Sequence, residues 1–162
     1  MRTRTAEHTA LEDRQVPVQA KLAAAWTSFM FLYVYVDIIG FYKPGTIDDI
    51  LVGVVFVFDI TQVWAITVLT LMAVPILMVV LSAMLPARAS RITNLVVASL
   101  QVPYAMFNVL GGSWTYYYGL GVVLEVIVLA VILRLAWTWP RTPAPSIPDL
   151  VEPNRSQIQM GR

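Results

Sequence analysis

Two carboxylates stand inside stretches of chain that are otherwise apolar. Asp37 lies in a run from about Leu22 to Tyr42, and Glu125 in a run from about Tyr117 to Trp137. An ionised carboxylate in hydrocarbon costs roughly 2.5–3.5 kcal/mol or more. Such an acid has three resolutions: it is protonated, it reaches water, or it holds a cationic ligand. Burial disfavours the charged form, which makes the deeper Glu125 the better candidate for the neutral acid. Tyr33 precedes Asp37 by one helical turn on the same face, and Tyr118 and Gly121 share a face with Glu125.

A third apolar run carries a stripe of its own. Asn94, Ala98, Gln101, Ala105, Asn108 and Gly112 recur at alternating spacings of four and three, which puts three amides and three small residues on one helical face. Small residues let helices approach closely and amides hydrogen-bond across the contact. Asn94, Ala98, Ala105 and Gly112 are therefore expected to form a packing seam. Counting 1.5 Å per residue from the ends away from the termini, Asp37 lies about 7 Å inside, Asn108 about 6 Å and Glu125 about 12 Å. Together with Tyr33, Gln101, Tyr104 and Tyr118 these residues make a candidate ligand- or proton-binding group, with no Lys, Arg or His in that half to pair with the acids. Two readings stay open: a site for a cation or proton, or neutral acids that lock the helices through hydrogen bonds.

The elements that must position these groups follow from composition. The chain has 162 residues, 58% of them hydrophobic and 13% charged, against about 25% charged in an ordinary soluble domain. A water-soluble protein of this composition would expose large apolar patches. A spanning helix needs roughly 20 apolar residues, and four segments qualify: about 22–42, 60–85, 92–112 and 117–137. Unpaired backbone groups are not tolerated in lipid, so these segments are expected to be helical. The fold class expected is all-α, an integral membrane four-helix bundle over 21–139, with tails at 1–20 and 140–162. The first tail carries a capping-box pattern at Thr9 to Glu12 before Pro17, and the second is proline-rich. Pro75 and Pro103 fall mid-helix and are expected to kink their helices.

Residues 47–58 are too short to span. Joined to the second span they would make a helix of nearly 40 residues, about 57 Å long. They are expected to break from it near Asp59 as an interfacial or re-entrant segment, the alternative being a protruding or tilted helix. Asp59 is then expected at the N-terminus of the second span, where its charge suits the helix dipole.

Orientation follows from the bases. Ten of the eleven Lys and Arg residues fall before the first span, between the second and third (Arg88, Arg91), or at and beyond the end of the fourth; only Lys43 falls on the other side. That asymmetry predicts both termini on the cytoplasmic side of a bacterial inner membrane. Trp114 and Tyr116 to Tyr118 would form the outer aromatic belt, and Trp137 and Trp139 the inner one. A cleaved signal peptide is a poor account of the first span, which is long and contains Asp37.

Several function classes find no support. There are no cysteines and a single histidine, His8, in a tail; no metal site or cofactor is expected. A net charge of +1 without a basic stripe argues against nucleic acid. No nucleophile, phosphate-loop or dinucleotide motif is present.

Three segments carry a resemblance. Tyr33-Val34-Tyr35-Val36-Asp37-Ile38-Ile39, Val74-Pro75-Ile76 with Leu81-Ser82, and Arg88-Ala89-Ser90-Arg91 resemble an uncharacterised bacterial four-helix membrane family, a domain of unknown function that is loosely DoxX-like. The resemblance covers about Lys21 to Trp139. It implies the four-helix fold and a role for the Tyr33/Asp37 face and Glu125, and it supplies no activity. Family members carry a glutamate before the proline motif of the second helix, where this chain has Ala73 and Val74.

The function expected is binding or transport of a small lipophilic or cationic molecule through an acidic pocket in the outer half of the bundle. Small multidrug transporters share the size class and a membrane acid, by analogy only. Four spans would need a homodimer, or a larger membrane complex, to enclose a pathway. The alternative is an accessory or structural subunit that docks a partner through the amide seam. An enzyme acting on a lipophilic substrate comes third.

Overall fold

A computed structural model describes residues 16–107 and 113–140. The expected N-terminal capping box, most of the proline-rich tail, Asn108 and Gly112 lie outside the described residues. The chain is mostly helical. Four long helices, α1 (Val18–Gly40), α3 (Gln62–Met84), α4 (Ala87–Phe107) and α5 (Thr115–Trp137), are joined by a short helix α2 (Thr46–Leu51) and a two-stranded hairpin, β1 (Val54–Val55) and β2 (Phe58–Asp59). Three of them, α1, α3 and α5, are long and apolar enough to cross a membrane. In α4 the arginines of its first turns, Arg88 and Arg91, and the buried Asn94 and Gln101 lower the average.

Hydropathy locates apolar runs rather than helix ends, and the helices differ from the runs accordingly. α1 starts at Val18 and α4 at Ala87, so Arg88 and Arg91 lie in the first turns of α4 rather than in a connection. Leu85 is extended, as the residue before a proline tends to be. Pro86 accepts the first bond of α4, from Ser90 N at 2.9 Å. α3 and α4 run on through Pro75 and Pro103.

The segment before α3 turns on two glycines. Gly45 (φ 87°) and Gly53 (φ 85°) take left-handed conformations on either side of α2. The hairpin pairs Val54 with Asp59 and Val55 with Phe58, leaving Phe56 and Val57 at its tip. α3 is capped by Thr61, whose hydroxyl accepts from Trp64 N at 3.1 Å. Asp59, expected at that helix N-terminus, instead sits in β2, because the hydroxyl of Thr61 takes the capping role two residues later.

Successive long helices run antiparallel. α1 packs along α3 and α5, and α4 packs along α5 and more lightly on α3. The start of α1 meets the end of α3 through Gln19 Nε2 and the Leu85 carbonyl at 3.3 Å. This end also holds Lys21, Arg88, Arg91 and Arg134, and is called the basic end below; the opposite one is the hairpin end.

The molecule is apolar outside and partly polar inside. Phe31, Ile66, Leu69, Leu100, Val123 and Ile127 are exposed, whereas Ser82, Ser90, Asn94, Gln101 and Glu125 are buried. The polar groups near the basic end form one network. Asn94 Oδ1 accepts from Trp26 Nε1 at 2.7 Å and from Ser82 Oγ at 3.1 Å. Asn94 Nδ2 donates to the Ser90 carbonyl at 2.7 Å, and Ser90 Oγ donates to the Ser82 carbonyl at 3.2 Å. Beside it lies an apolar cluster containing Phe29, Met78, Ala98, Leu129 and Ile132.

Replacing Asn94 by Leu strands the Trp26 and Ser82 donors in apolar surroundings. We expect a loss of about 1–3 kcal/mol of stability, read as a lower unfolding midpoint of the purified protein in detergent. Ser82→Ala removes one donor and strands nothing new, so its effect is expected to be smaller.

Candidate functional site

The hairpin half is organised by close contact between α1 and α5. A Cβ added to Gly121 would sit 3.0 Å from Val36 Cγ2, and one added to Gly40 would sit 3.3 Å from the Tyr118 hydroxyl. Both positions lack the side chain that would hold the helices apart. Tyr117 fastens the contact, its hydroxyl donating to the Val36 carbonyl at 2.7 Å.

Glu125 follows Gly121 by one turn on the same face, so it too is turned toward the core. It is 2% exposed, and its Oε2 is buried with no hydrogen-bond partner. Tyr33 precedes Val36 by three residues on α1, which brings it to about the level of Glu125. Tyr33 is 8% exposed and stacks on Tyr104 of α4, with ring centroids 6.5 Å apart, planes 13° apart and hydroxyls 3.5 Å apart. Gln101, one turn along α4, is also buried. An aromatic, amide-bearing stretch of the core thus lies at about the level of one incompletely satisfied acid.

Asp37 is placed differently. It continues the face of Tyr33 one turn nearer the hairpin end, where it is exposed. Tyr118 is half-buried beside Gly40. The structure therefore brings Glu125, Tyr33, Tyr104 and Gln101 into the core, sets Asp37 and Tyr118 at its edge, and leaves Asn108 outside the described residues. Among the described residues no group of three or more His, Asp or Glu side chains comes together as a metal-ligand set.

The seam residues Asn94, Ala98 and Ala105 are all buried against the chain's own helices, and Gly112 is not described. This stretch of the seam packs within the chain itself, with Asn94 taken up by Trp26, Ser82 and Ser90. Sequence reasoning passed over those three residues and Tyr117. Nothing in the sequence singles out Trp26, and Ser82 and Ser90 stand there only as motif positions. A small polar side chain in a run with no polar face gives no sign of which way it points.

The chain belongs to a family of unknown function, DUF6326, whose model matches residues 12–145. No curated protein and no solved structure matches it.

A buried carboxyl oxygen without a partner destabilises the ligand-free protein. We expect Glu125→Leu to raise its stability by about 1–3 kcal/mol, seen as a higher melting temperature in detergent. A lower melting temperature would mean that Glu125 is a structural hydrogen-bonding group.

Proposed function

We propose that this member of the DUF6326 family is an integral membrane protein whose four long helices all span the bilayer, and that it binds or transports a small lipophilic cation through Glu125. The observation that carries the reading is the buried, unpartnered Glu125 Oε2. Proteins retain such a group against its cost when it has work to do, and an intramembrane acid marks a pathway or a ligand site. A lipophilic cation would supply both the missing electrostatic partner and apolar surface for the stacked Tyr33 and Tyr104 rings.

Membership of α4 among the spans is supported by its outward residues Ile92, Val96, Leu100 and Met106, all exposed and apolar. Its 21 residues reach about 32 Å, the thickness of a hydrocarbon core. Both termini are assigned to the cytoplasm of a bacterial inner membrane. Lys21, Arg88, Arg91 and Arg134 at the basic end, against Lys43 at the other, support that orientation. The same reading lays α2 and the hairpin in the outer interface, with Phe56 and Val57 exposed to lipid, and keeps the loose DoxX-like likeness.

One observation favours a second reading. Asp37 is a carboxylate inside a span that the chain's own helices leave exposed. A second copy of the chain, or a larger complex in which this protein is an accessory subunit, would cover it.

Uptake of tetraphenylphosphonium into proteoliposomes tests the leading reading. Uptake is expected to require the protein and to fall about tenfold in Glu125→Gln, as loss of roughly 1.4 kcal/mol of binding would produce. Unchanged uptake in that variant would overturn it.

A further inference from the structure

At the basic end a groove of about 460 Å³ runs between α4 and α5, lined by Leu95, Ser99, Leu133, Arg134, Trp137 and Thr138. That volume falls within the range of small-ligand sites, about 300–1,000 Å³. It is separate from the Glu125 region, nine residues or about 13 Å along α5. Its two halves differ in chemistry. Leu95 and Leu133 give an apolar floor. Arg134, in the last turn of α5, gives a cationic mouth beside Trp137, which is 71% exposed.

The charge at that mouth is not answered within the described residues. The acids described are Asp37, Asp48, Asp49, Asp59 and Glu125, all toward the hairpin end or mid-helix. Arg91 adds a second guanidinium nearby: its Nε donates to the Ala136 carbonyl at 3.1 Å, bridging from α4 to the end of α5. A guanidinium has five N–H donors, and this one spends only the Nε–H on the backbone. The Arg134 carbonyl is taken by Thr138, whose amide and hydroxyl donate to it at 2.9 and 2.7 Å. That bond closes the last turn of α5 and holds the Arg134 backbone at the groove.

We propose that this groove holds an anionic phospholipid, its phosphate at Arg134 with Arg91 alongside, and an acyl chain over Leu95 and Leu133. A planar, weakly hydrated guanidinium suits a phosphate, and an exposed tryptophan at the same depth suits the headgroup boundary. Basic pockets between helices on the cytoplasmic side recognise acidic lipid in just this way. The inference rests on the membrane reading above but not on the role given to Glu125.

Native mass spectrometry of the full chain in mild detergent, titrated with dioleoylphosphatidylglycerol or dioleoylphosphatidylcholine, tests it. The wild type is expected to retain the phosphatidylglycerol in preference. Arg134→Gln is expected to weaken that preference about fivefold, the worth of one basic side chain beside an anionic surface, while Arg134→Lys keeps most of it. Leu133→Trp, which fills the groove from its floor, is expected to reduce retention of both lipids. Equal retention of the two lipids by the wild type, or a preference undiminished in Arg134→Gln, would overturn the proposal. Glu125→Gln is expected to bind lipid normally. Lipid selectivity without cation uptake therefore sinks only the function proposed above, and uptake without selectivity sinks only this inference. Release of the protein from membranes by alkaline carbonate would remove the premise of both.

Discussion

Three long helices meet at one carboxamide. Asn94 of α4 takes hydrogen bonds from Trp26 of α1 and Ser82 of α3, and returns one to its own helix at Ser90. In apolar surroundings each of those groups left unpaired would cost about 1–3 kcal/mol, so the node fixes how each helix is rotated about its axis. With Asn94 turned inward, the spacing of α4 carries Ala98, Gln101 and Ala105 to the same side. Trp26 does the same for α1, bringing Phe29 and Tyr33 onto the core face. The stacked tyrosines and the level of Glu125 then follow from rotations set several turns away.

This arrangement explains which parts of the fold could be read from sequence. Long apolar runs with a polar break between them locate α1, α3 and α5 because length and hydropathy are what spanning demands. The helices' rotations are another matter. Both the interior and the outer surface of α1, α3 and α5 are apolar, so no contrast between faces marks which one packs inward. Only α4 carries enough amides and small residues to show a face, and its spacing of four and three was legible for that reason. The turn chemistry at Gly45, Gly53 and Thr61 was harder to see, since the surrounding valines and phenylalanines look like more of the same apolar run.

The site was legible in kind but not in geometry. Two acids in apolar runs stand out in any reading of composition. Their fates differ because of depth: Glu125 falls on the core face of α5 shared by Gly121 and Leu129, whereas Asp37 continues the face of Tyr33 one turn nearer the hairpin end, where it is exposed. Tyr117 could not be ranked among four neighbouring aromatics, because its role depends on a carbonyl of α1 that no spacing rule connects to it.

The apolar cluster of Phe29, Met78, Ala98, Leu129 and Ile132 separates the Asn94 network from the Glu125 level. In electrical terms it is an insulating layer between two polar ones. On the membrane reading proposed above, a charge at Glu125 would sit about halfway across the dielectric, with that layer on its cytoplasmic side. Moving one charge across a full bilayer is worth about 2.3 kcal/mol per 100 mV. A proton or cation reaching Glu125 from the hairpin end alone would cross roughly half of that drop, so occupancy of the acid would respond to membrane voltage by about 1 kcal/mol per 100 mV.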